Sequence, residues 1–163
     1  MKSRIQLLAL LVLAPSFAAG AEVVRHKIPN SNFPIAAAVE VPAGRTTVYL
    51  SGAVPPVANA EAPADSIAAY GDTEAQTVAV LGRIKAQLEG LGLGMGDVVK
   101  MQVFLVGDPE QAGRMDFAGF MKGYVQFFGT EEQPNLPARS TMQVAALANP
   151  GFLVEIEVTA VRP

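Results

Sequence analysis

The chain has 163 residues, no cysteine, no tryptophan, a single histidine, half of its residues hydrophobic and a formal net charge of −3. These values exclude a disulfide-built scaffold and a disordered polyelectrolyte, and they offer no global attraction for nucleic acid phosphates. One ordinary globular domain is what they bound.

Residues 1–21 differ in kind from the rest. Lys2 and Arg4 precede the apolar run IQLLALLVLAPSFAA, and Ala19 and Ala21 form the small-x-small pattern that signal peptidase cuts. The segment reads as a signal peptide cleaved before Glu22, and Pro15 interrupts it short of the ~20 apolar residues a membrane anchor needs. The expected mature domain is residues 22–163, periplasmic or secreted and free of the membrane. Losing two of the 12 basic residues and none of the 15 acidic ones takes its charge from −3 to −5, which further opposes nucleic acid binding. A domain of this length buries enough surface to fold without disulfides outside the cytoplasm.

Along the mature chain, RHKIP reads as a short edge strand, and IAAAVEV and TTVYLSGAV as two further strands. Residues 55–72, PPVANAEAPADSIAAYGD, are too long and proline-spotted for a hairpin turn and read as an ordered or semi-ordered surface loop. A helix follows, with Val78, Leu81, Ile84, Leu88 and Leu91 as its apolar stripe, Asp72 or Thr73 as its cap, and Gly90 or Gly92 as its end. DVVKMQVFLVGD is a strand with Val99, Met101, Val103 and Leu105 on one face. Asp116 caps a second helix, whose Phe117, Phe120, Met121, Tyr124, Phe127 and Phe128 recur at helical spacing and read as a stripe packed on a sheet. RSTMQVAAL and FLVEIEVTAV, joined by ANPG, predict an antiparallel hairpin. This order specifies an α+β fold, a sheet with both helices on one face. An apolar face left bare by the helices predicts an oligomer.

Several chemistries are excluded. GLGLGMG, residues 90–96, follows a helix and precedes a strand, the wrong order for a dinucleotide fingerprint. The lone His26 builds neither a Ser/His/Asp triad nor a histidine-rich metal site. What remains is the C-terminal pair of segments, where alternation puts Glu155 and Glu157 on one face within reach of Arg139. By pattern alone this is an exposed cross-strand ion pair worth about 0–1 kcal/mol.

VYLSGAVP, DVVKMQVFLV, LPARSTMQVAAL and LVEIEVTAVRP together resemble the YjgF/RidA family of reactive-intermediate (enamine/imine) deaminases, also called L-PSP endoribonucleases. The resemblance covers about residues 30–163. It implies a chorismate-mutase-like fold assembled as a homotrimer, with ligand clefts between subunits and with neither metal nor cofactor. It implies that Arg139 holds a substrate carboxylate, Glu155 activates water, and Ser51 and Gly52 line the cleft, with Glu157 structural. The chain departs from the family pattern at Phe33, where the family has a tyrosine, at Met121, where it has an asparagine, and at Thr141, where it has a cysteine. Two functions follow: hydrolytic deamination of small 2-imino acids to 2-keto acid and ammonia, favoured by Glu155, or non-catalytic binding of a small carboxylate, favoured by Phe33 and Met121. With no histidine pair and an acidic chain, a ribonuclease is disfavoured.

Overall fold

The computed structural model describes residues 22–163, so the expected signal peptide lies outside the described residues. Six strands, β1 (Val24–Lys27), β2 (Ala36–Glu40), β3 (Thr47–Ala53), β4 (Val98–Val106), β5 (Ala138–Val144) and β6 (Val154–Val161), form one mixed sheet in the order β1-β2-β5-β4-β6-β3. Helices α1 (Thr73–Gly90) and α2 (Phe117–Tyr124) cover one face of it. The expected α+β fold with both helices on one face is what the chain adopts.

The C-terminal hairpin is not. β4 runs parallel to β5 on one side and antiparallel to β6 on the other, so the two segments never pair. Nine residues, 145–153, separate them, which is longer than a tight hairpin loop and enough to step across one strand. Asn149 does form a turn, accepting from the Phe152 backbone, but its side chain donates to Ala64 and so docks that turn on the 55–72 loop. Putting β4 in the middle buries Val98, Met101, Val103 and Leu105 from both edges, while Val154, Ile156, Val158 and Ala160 complete the same layer. That burial outweighs the local turn preference.

Asp72, rather than Thr73, caps α1, accepting from the Ala75 backbone at 2.8 Å. The buried arc of α1 is broader than the expected stripe because the helix packs on both the sheet and α2: Val80 and Gln76 are fully buried, whereas Leu91, past the last turn, is 45% exposed. The helices approach closely at Gly123, where a Cβ would meet Thr77 at 2.8 Å. Helix α2 stops at Tyr124, earlier than expected, and Phe127 and Phe128 continue into the following turn. Fully buried Gln76 donates to the carbonyls of Gly71 and Gly151 and accepts from Leu153, tying the end of the long loop to the start of β6. The 55–72 loop is thus ordered, with Tyr70 buried and its hydroxyl on the Ala64 carbonyl.

The uncovered face is mixed rather than simply apolar. Lys100, Gln102, Phe104 and Val106 of β4 lie beside Ser140, Met142 and Val144 of β5 and beside Glu155, Glu157 and Thr159 of β6. Tyr49 adds a ring that is 79% exposed. Strand alternation compels this mixture, because each buried residue on the helix side is followed by one that must face the other way.

Candidate active site

Pro137 admits the chain to the sheet in extended form, and its carbonyl accepts from the Ala36 backbone. Arg139 then pairs with Met101 and therefore faces the helices. Above it lie rings from α2 and one from the segment before β2. The guanidinium carbon is 4.2 Å from the Tyr124 ring centroid, 4.9 Å from Phe120, 5.5 Å from Phe33 and 6.0 Å from Phe117. Cation–π attraction of about 0.5–2 kcal/mol per favourable ring offsets part of the cost of burying the charge. Burial still lowers the affinity of Arg139 for its proton below the ordinary arginine value, with Tyr124 opposing the shift. It remains a cation at physiological pH.

Its polar partners are few. Nη2 donates to the Met121 sulfur at 3.3 Å, while Nη1 is buried without a partner. Thr141, two residues along the same face, has a hydroxyl that is likewise buried and unpaired. Among the described residues no carboxylate neutralises this arginine. A guanidinium with one free amino group beside a free hydroxyl is a donor set suited to an anion.

Glu155 stands elsewhere. It pairs with Phe104, three positions along β4 from Met101, so its side chain lies on the opposite face of the sheet from Arg139. The expected ion pair within one chain is therefore excluded by register. A β-bulge between Leu50 and Ala53 releases Ser51 and Gly52 from regular pairing with β6, and a Cβ on Gly52 would collide with the Glu155 carboxylate. Glycine here lets the carboxylate lie directly on the backbone of β3. Glu157 lies beyond it on the same face, lining a hollow of about 250 Å³ with Tyr49, Lys100, Gln102 and Thr159.

The expected site residues thus fall into two groups: Arg139, Met121, Phe33 and Thr141 on the helix side, and Ser51, Gly52 and Glu155 on the open side. Phe117, Phe120 and Tyr124 join the first group. Their helical spacing marked them only as core, and nothing in the spacing tells that an arginine lies beneath. No cluster of His, Asp or Glu able to hold a metal is found among the described residues.

Tyr124 links the cage to its rim, donating from its hydroxyl to the Pro34 carbonyl at 2.8 Å, next to Phe33. Burial pushes its phenol up to about 12, against the pull of the Arg139 cation. A folded-state value above the unfolded one near 10 means the contribution is complete below about pH 10 and is lost as pH rises toward 12. Between about pH 8 and about pH 11, the wild type should lose about 1–2 kcal/mol more stability than Tyr124→Phe, as read by urea denaturation at each pH. Equal losses in the two proteins would remove Tyr124 as the group responsible.

The profile of the family described as endoribonuclease L-PSP matches residues 43–162. A RutC family protein of Haemophilus influenzae is 36% identical over 138 residues, 84% of this chain and 93% of that one. The chain is a member of the YjgF/RidA family. A 2-iminobutanoate/2-iminopropanoate deaminase of Escherichia coli is 40% identical over 91 residues, 56% of this chain and 65% of the relative. The crystal structure of E. coli TdcF with bound serine superposes with a TM-score of 0.56 at 35% identity, covering 76% of this chain and 85% of TdcF. In this RidA-family chain the expected cleft residues divide between the two faces of the sheet. Phe33 and Met121 both contact Arg139 and Thr141 shares its face, whereas Ser51, Gly52 and Glu155 lie together on the open side of the sheet.

Proposed function

We propose that the protein is a hydrolytic deaminase of small 2-imino acids, working in clefts between copies of a homotrimer after export and cleavage before Glu22. The observation that carries this reading is the Arg139 guanidinium, buried among rings with Nη1 unpaired and Nη2 on the weakly accepting Met121 sulfur. A substrate carboxylate would take two parallel charge-assisted bonds from it and so fix the direction of the C=N bond. Glu155 would accept a proton from water as the oxygen attacks the imine carbon, forming a carbinolamine. That proton goes to the nitrogen, and passing the carbinol hydroxyl proton to the same nitrogen in turn lets ammonia leave as the C=O of the 2-keto acid forms. One imine and one water are consumed, and no redox step is needed.

Because the sheet separates Arg139 from Glu155 within a protomer, the reading requires the two groups to come from different copies. A neighbour solved with bound serine, itself a small molecule with a carboxylate, supports the substrate class. Phe33 and Met121, apolar at positions where the resemblance implies polar groups, favour the second reading, a carboxylate-binding protein without turnover.

Ammonia and 2-keto acid release from freshly generated 2-iminopropionate separates the two. Release faster than buffer, lost in Arg139→Ala, is expected; pyruvate binding without turnover would establish the binding protein instead. Neither release nor binding would sink both. Export is tested by N-terminal sequencing of the protein recovered outside the cytoplasm, which should begin at Glu22.

A further inference from the structure

The chain has no cysteine and six methionines, so thioethers are its only sulfur targets for oxidation. They are not equivalent. Met95 and Met101 are buried in the core, Met142 is 39% exposed on the open face, and Met115 and Met121 are partly buried. Among the described residues only Met121 is found with its sulfur on a cation, accepting from Arg139 Nη2 at 3.3 Å. A thioether is a weak acceptor, so this contact yields readily to a carboxylate. A sulfoxide presents a polar oxygen from the same side chain.

We propose that Met121 is an oxidation-sensitive cap on Arg139. Hydrogen peroxide is the co-reactant. A sulfur lone pair forms an S–O bond as the O–O bond breaks; sulfur loses two electrons and the departing oxygen leaves as water. The new S=O lies within reach of the guanidinium and competes with any carboxylate for Nη2, and for Nη1 if the side chain turns. Methionine sulfoxide reductase reverses the change. The consequence for ligand binding rests on Arg139 being the carboxylate clamp, but the sulfoxide contact itself does not.

The test uses the folded domain treated with graded hydrogen peroxide, alongside Met121→Leu. Peptide mass spectrometry follows oxygen addition at each methionine, the 15N–1H signals of the Arg139 guanidinium report the contact, and calorimetry with pyruvate reports affinity. In the wild type, oxidation of Met121 should move the Arg139 signals and weaken pyruvate binding by about tenfold, the smaller end of what one charge-assisted bond carries. Both effects should reverse with the reductase, and peroxide should change neither readout in Met121→Leu relative to that variant untreated. The proposal is overturned if Met142 and Met115 oxidise while Met121 stays reduced, or if Met121 oxidises and the Arg139 signals stay put. Signals that move in a protein with no measurable pyruvate binding before treatment uphold the sulfoxide contact and overturn the clamp reading.

Discussion

Arg139→Met is expected to leave the domain as stable as the wild type, or slightly more so, while reducing kcat/KM for a 2-imino acid by roughly 100-fold or more. The two halves of this expectation come from different physics. For stability, the arginine brings a desolvated charge and an unpaired buried Nη1, each unfavourable, against cation–π attraction to nearby rings. Methionine keeps the length and apolar contacts and removes the orphan donor, and such replacements of buried ionic groups are often neutral or stabilising. For function, truncating one partner of a buried charge pair costs about 2–5 kcal/mol. Urea denaturation and steady-state kinetics on the same preparation decide it. A loss of several kcal/mol in stability would show that the guanidinium is the keystone of the aromatic cluster, not a ligand clamp.

Gly52→Ala is expected to imitate Glu155→Gln. Gly52 lies outside the left-handed backbone region, so alanine is conformationally acceptable there. Its Cβ nevertheless lands on the Glu155 carboxylate, which must swing away. The obstacle is the mobile end of a side chain beside exposed Ser51 and Gly52, so the stability cost should stay below about 1 kcal/mol. Catalysis should fall by about 10²–10⁴, the ordinary worth of a placed general base. Mixing inactive Arg139→Met with inactive Glu155→Gln subunits then asks where the two groups meet. If each cleft takes Arg139 from one copy and Glu155 from the next, random assembly rebuilds wild-type clefts in about a quarter of cases. No recovery from a mixture shown to exchange subunits would confine the site to one protomer.

Much of this was legible in the residues. β-branched runs gave the strands, three-and-four spacing gave the helices, and Asp72 and Asp116 capped them as their chemistry requires. Alternation also sorted β6 correctly, with Glu155 and Glu157 opposite Ile156 and Val158. What alternation does not carry is which strand lies next to which. ANPG looks like a hairpin turn because it is a turn, yet the partner of β6 is chosen by the apolar layer of β4, and pairing is a property of the whole sheet. That one difference moved Arg139 to the other face from Glu155. The aromatic cage was hidden for a related reason: a helix stripe specifies which side is inward, not what it meets there.

β6, made after the other five strands of the sheet, lies in its interior, between β4 and β3. During synthesis, every residue through the 148–151 turn can emerge while β3 has no neighbour and one edge of β4 remains open. Joining residue 47 to residue 161 closes a contact across most of the domain, and contacts so distant in sequence form slowly. The sheet therefore stays open between β3 and β4 until residues 154–161 are free, and the same residues that lock it bring Glu155 with them. Closing the sheet and seating the Glu155 carboxylate against Gly52 are one event.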